Sequence, residues 1–172
     1  CMTALATAVC VPFELGMMYA ETPADYGEWV RWYHLPIFLT LVGTLAFVRF
    51  YLGTGRLWLL WTIVVLRVLV LAVNFAVQPN FNFREIIALD HFAFLGDQVA
   101  VVGQAVPRPW QWLASVGWLL TLAFLIDAAI ERWRKGGSES RRKALTVTLA
   151  IALPLVCSAL VNQLVVWGLV QV

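Results

Sequence analysis

Charge is what this sequence has least of. Lys, Arg, Asp and Glu make up 13% of its 172 residues against 62% hydrophobic ones, and mean hydropathy is +0.81. That little polar surface cannot cover a soluble core, which excludes a soluble globular domain and leaves a membrane protein. Cysteine is nearly absent: Cys1, Cys10 and Cys157 sit in apolar runs with no CxxC pair and no metal-ligand spacing, so they read as packing residues. Catalytic signatures are missing as well. There is no nucleophile elbow, HExxH, phosphate loop or nucleic-acid motif, so neither enzymatic chemistry nor a nucleic-acid partner is expected. No charged region precedes the first apolar run, and a start at Cys1 fits neither an intact signal peptide nor a natural N-terminus. The chain is therefore expected to be part of a longer protein. The net charge of +2 says little about partners, because in a membrane protein the arrangement of charge matters more than its sum.

What is there is a series of long apolar runs around one polar stretch. The runs cover about 1–20, 33–52, 57–77, 110–130 and 144–172, the first four near the 20 residues that cross the hydrocarbon layer and the last longer but interrupted by Pro154 and Asn162-Gln163. The exception is 74–112, which carries Arg84, Glu85, Asp90, His91, Asp97 and Arg108, too many ionisable groups for a lipid-facing span. Pro79 with Asn80 and Asn82 opens it and Pro107 with Pro109 closes it, as turns do. Within it 98–103 is apolar and β-branched, as consistent with a short strand as with a helix. The positive-inside rule gives the same answer. If 78–109 stays on one face, the loop with Arg49 and Arg56 and the basic run 131–143 both lie in the cytoplasm, while the acidic loop 21–31 and the polar stretch lie outside. The expected fold is thus an all-α membrane protein, a polytopic helical bundle of about five spans. It forms one transmembrane domain, with 78–109 as a small extracytoplasmic cap that can hold a short strand pair.

Two ionisable groups fall inside the runs. Glu14 and Arg67 are costly in lipid unless paired, by roughly 2.5 to 3.5 kcal/mol each on insertion scales. At about 1.5 Å per residue they lie roughly 9 and 15 Å below the outer ends of their helices, close enough for a long Arg to bridge. That pair either fixes helix packing or senses a ligand or proton. Asp127, near the cytoplasmic end of its run, faces Arg49 or Arg56 at similar depth. His34 and His91 belong to the outer face. No spacing around them supports a metal or haem site, so no cofactor is expected and a hydrogen-bonded role is the plainer reading. Trp and Tyr at the run ends fit two aromatic belts. Phe75, Phe81, Phe83, Phe92 and Phe94 either fill the cap's own core or line an apolar ligand pocket beneath it. The candidate ligand or signal residues are Glu14, His34, Arg67, Asn74, Asn80, Asn82, His91 and Asp97. If the chain instead belongs to a small transporter or channel, Glu14, Arg67 and Asn162-Gln163 would line its polar path.

A set of short motifs recurs in order along nearly the whole chain. They are Glu14-Leu15, MMYAETP (17–23), RWYHLP (31–36), YLGTGRLWL (51–59), Leu66-Arg67, Asn74-Phe75, PNFNF (79–83), LGDQV (95–99), Pro109-Trp110, Asp127-Ala128 and WRKG (133–136). This set resembles the N-terminal membrane region of bacterial sensor histidine kinases. The resemblance implies a multi-pass sensor of the bacterial inner membrane whose last helix leads to cytoplasmic PAS, dimerisation and kinase modules of the same polypeptide. It also implies a homodimer, with the lipid bilayer as the other partner. Asp97 stands where that pattern has Glu, and GGSES lengthens the basic loop. No phosphoacceptor histidine or ATP site is carried over, and the matching residues bring no assigned role.

Overall fold

The computed structural model describes residues 2–94 and 96–166. Five helices and one hairpin follow in the order α1 (Met2–Met18), α2 (Pro23–Leu52), α3 (Leu57–Ala76), β1 (Phe83–Phe94), β2 (Asp97–Pro107), α4 (Trp112–Lys135) and α5 (Ser138–Val166), with a 3-10 turn, Pro109–Gln111, leading into α4. Among the described residues, three stretches are long and apolar enough to cross a membrane: α2, α3 and α4 with its leading turn. The expectation of about five spans is corrected on that point. α1 has 17 residues, about 25 Å of helix against a layer of roughly 30 Å, and its apolar part is shorter still. The fifth expected run, 144–172, extends past the described residues, and the side chains of Asn162 and Gln163 lie outside them.

The surfaces of the spans are those of lipid-facing helices. On α3, Trp58, Trp61, Val65 and Leu69 recur three to four residues apart along one exposed stripe, and on α2 Phe47, Phe50 and Tyr51 are exposed near its end. So large an apolar face fits hydrocarbon and not water.

The chain divides into two compact units, 1–43 with 67–113, and 44–66 with 114–172. In the first, α2 begins ten residues earlier than the apolar run that marks it in the sequence. Thr22 Oγ1 accepts the Asp25 backbone N–H (3.1 Å) and donates to the Asp25 carboxylate (2.6 Å), while Pro23 takes the first helical position. What reads as an acidic loop is therefore mostly the capped first turns of α2. α1 meets α2 where Gly16 leaves room for Trp29; a Cβ on Gly16 would stand 2.4 Å from the indole.

β1 and β2 form a two-stranded antiparallel hairpin turning through Gly96, whose φ is +97°. The regular half runs from Leu89↔Val102 to Phe94↔Asp97, while register shifts interrupt the pairing nearer the root. The stretch read as a cap thus contains a strand pair, longer than the 98–103 segment alone indicates.

In the second unit, the turn after α2 lies against α4. Gly53 ends α2 with φ +66°, and Thr54 Oγ1 donates to the Ala128 carbonyl (2.8 Å). The backbone N–H groups of Gly55 and Arg56 donate to the carboxylates of Glu131 (2.9 Å) and Asp127 (3.2 Å), and Arg56 Nε pairs with Asp127 at 3.3 Å. Of the two partners open to Asp127, Arg56 is the one it meets.

Candidate functional site

An isolated two-stranded ribbon is at best marginally stable in water, so the hairpin depends on what holds its root. Three prolines around that root, Pro79, Pro107 and Pro109, lack N–H groups and leave backbone carbonyls for side chains to satisfy. Arg108, between two of them, does this. Its Nε donates to the carbonyls of Asn80 (3.0 Å) and Phe83 (3.1 Å), its Nη2 to that of Gln78 (2.5 Å), and its own N–H to that of Asn82 (3.0 Å). The guanidinium also lies 5.4 Å over the Trp110 ring. Charge-assisted bonds of this kind are stronger than neutral ones, so a single side chain gathers both strands' ends.

Two asparagines tie this root to the helices. Asn80 is fully buried; its Oδ1 accepts the N–H groups of Asn82 and Phe83 (both 3.0 Å), and its Nδ2 donates to the Gly27 carbonyl on α2 (3.1 Å). Gly27 has room for that approach, since a Cβ there would stand 3.0 Å from Pro79. Asn74, at the end of α3 and also fully buried, donates from Nδ2 to the Arg31 carbonyl on α2 (2.8 Å) and accepts the Phe81 N–H at Oδ1 (2.9 Å). Arg31 returns a bond from Nη2 to the Phe75 carbonyl and lies 5.6 Å over the Phe75 ring, which Trp32 meets edge-on. α2, α3 and the hairpin root are thereby one hydrogen-bonded body.

Phe81, 1% exposed, is the apolar centre of this body and packs on the His34 ring at 6.3 Å. His34 Nδ1 is 2.8 Å from the Val30 carbonyl, with Asn82 and Arg67 as its further polar neighbours. Of the eight residues singled out in the sequence, Asn74, Asn80 and Asn82 hold the Phe81 segment, His34 packs on its ring, and Arg67 is a charged neighbour of His34. Arg67 is buried on α3. The other three stand apart. Glu14 accepts a hydrogen bond from the Tyr33 hydroxyl on α2 (2.5 Å). His91 is exposed on β1 opposite Ala100. Asp97, beside the hairpin turn, accepts from the Tyr19 hydroxyl just beyond α1 (3.2 Å). Four of the five phenylalanines separate: Phe75 goes to Trp32, Phe81 to His34, and Phe92 and Phe94 to each other at 6.4 Å. Among the described residues no group of three or more His, Cys, Asp and Glu stands at metal-binding distance.

Arg108 and Arg31 were missed in the sequence. The signal for Arg108 was present, a lone donor-rich side chain flanked by two prolines. Arg31 carried none beyond its position near the helix start.

The Tyr19 phenol is exposed, and the Asp97 charge beside it holds its pKa above the ordinary value near 10. An acid whose pKa rises on folding contributes stability that is complete below the unfolded value and fades as pH climbs through the folded one. Asp97→Asn is accordingly expected to shift one tyrosine's ultraviolet titration to lower pH, and Tyr19→Phe to remove that titration.

Comparison of the chain with known protein families, with curated proteins and with solved structures returns no match.

Proposed function

We propose that this chain is the membrane-embedded signal-input domain of a bacterial two-component sensor kinase. In this reading the hairpin receives an extracytoplasmic or membrane stimulus, and α2 and α3 carry it toward cytoplasmic PAS and kinase modules of the same polypeptide, in a homodimer of the inner membrane. The observation that carries the proposal is the polar lock at the hairpin root. Asn74 and Asn80 bond the hairpin root to two helices of membrane-crossing length and hydropathy, and Arg108 closes that root on itself, so a tilt of the hairpin is expected to displace helix ends. The motif resemblance supplies the direction of signalling, and the three apolar helices support the membrane setting. A stimulus acts here by binding two arrangements of the lock unequally.

The test is autophosphorylation in nanodiscs of the full-length protein carrying this region, with residues 83–107 replaced by a Gly/Ser linker. The proposal expects output fixed in one state while the protein still inserts. Output that remains regulated without the hairpin contradicts it.

A further inference from the structure

The corner between α4 and α5 holds six of the chain's twelve Lys and Arg within residues 131–143, against two acids. Those two acids are already engaged: Glu131 with Lys135 at 2.6 Å and Glu139 with Lys143 at 2.7 Å. Arg141 donates from Nε to the Trp133 carbonyl (3.3 Å) and lies 5.6 Å over the Trp133 ring. Arg132, Arg134 and Arg142 have no carboxylate at ion-pair distance among the described residues. Arg132 and Lys143 moreover lie close enough for their charges to oppose each other. Between them is an open cleft of about 390 Å³ lined by Arg132, Gly137, Ser138, Glu139, Ser140 and Lys143. Two cations and two hydroxyls are the chemistry that a phosphodiester accepts, set against one carboxylate, Glu139, which Lys143 already holds.

The apolar residues flanking the corner fix its depth. Ile126 and Ile130 on α4 and Leu145, Leu149 and Leu153 on α5 are all exposed, so both helices leave the corner with faces suited to hydrocarbon. Trp133, 45% exposed, occupies the boundary where amphipathic rings collect. The bases beside it then stand at the level of the lipid phosphates, where each Lys or Arg gains about 1 kcal/mol from an anionic leaflet. A nucleic acid or an acidic protein would have to reach cations set at headgroup depth. A lipid is already there.

The geometry points to the α4–α5 corner as a binding site for anionic phospholipid headgroups, with Arg132, Arg134 and Arg142 as its uncommitted cations and the Arg132–Lys143 cleft as the seat of one phosphate.

The experiment measures association of spin-labelled phosphatidylglycerol and phosphatidylcholine with the protein reconstituted in nanodiscs. Wild type is expected to prefer phosphatidylglycerol, with the preference falling as salt is raised. Each of Arg132→Gln, Arg134→Gln and Arg142→Gln lowers that preference about fivefold at low salt, and the triple variant abolishes it. Glu139→Gln, which removes the carboxylate competing for Lys143, raises it. That variant and the wild-type salt series decide the matter if the triple variant fails to insert. Equal association of the two lipids in wild type overturns the proposal, as does an unchanged preference in the triple variant or displacement of the lipid by inorganic phosphate.

Discussion

Asn74→Ala destabilises the protein by about 2–3 kcal/mol, measured by heat or detergent unfolding of the purified chain. The side chain is fully buried and makes two hydrogen bonds to backbone, each worth about 1 kcal/mol net. The larger part of the loss comes from what stays behind. The Arg31 carbonyl lies within α2, where helical geometry supplies another donor, but the Phe81 N–H is at the hairpin root and has Asn74 as its acceptor. An orphaned buried donor costs roughly 1–3 kcal/mol, and Phe81 is 1% exposed, so water does not replace the lost oxygen readily. A loss below about 0.5 kcal/mol would mean that the root does not depend on this bond.

Gly55→Val has a larger effect, about 3–5 kcal/mol, and acts in the other unit. Gly55 has φ +98°, a conformation that a β-branched residue reaches only with strain of order 1–3 kcal/mol. Its added Cβ would also stand 2.9 Å from Cε2 and 3.0 Å from Cζ of Phe124, and 3.3 Å from Ala128 Cβ. Phe124 and Ala128 are both fully buried and cannot retreat into open space, so overpacking contributes a further 1–3 kcal/mol or so. Gly53→Ala is the internal control. Gly53 has φ +66° but nothing within 4 Å of a Cβ, so only the backbone term applies, on the order of 1 kcal/mol. Similar losses in the two variants would show that the turn after α2 does not pack on α4 as described.

These two sites also show what was legible in the chain. The tight Gly53-Thr54-Gly55 turn was visible because two glycines interrupt an apolar run, and the hairpin root was visible because Pro79, Asn80, Asn82, Pro107 and Pro109 cluster at its ends. The start of α2 was half legible: Thr22-Pro23 suits a helix start, but the first turns carry Asp25, Glu28 and Arg31 and so resemble a loop to a hydropathy reading. β1 was hidden for a different reason. Register shifts at Phe83/Glu85, Ile86/Ala88 and Ala88/Leu89 break the alternation of FREIIALDHFAF, and without that period a strand has no sequence signature. Depth arithmetic put Glu14 near Arg67, but it fixes height and not azimuth, and it gave no sign of the Tyr33 hydroxyl that bonds Glu14. The convergence of His34, Asn74, Asn80 and Asn82 on Phe81 is a tertiary fact. Polar residues at run ends hinted at each of them, while their assembly depends on how α2, α3 and the hairpin pack.

Through Asn74 and Asn80, with Arg108 closing the root, the hairpin and the adjoining ends of α2 and α3 are expected to move as one body. Spin labels at Ala93 on the hairpin and Ala24 in the first turn of α2, both exposed, report that coupling as a distance distribution from pulsed electron resonance in nanodiscs. The expected result is a single narrow distribution in the otherwise wild-type protein and a broad one when Arg108→Ala or Asn80→Ala is added. A distribution already broad without those substitutions, or one that stays narrow with both, contradicts the claim.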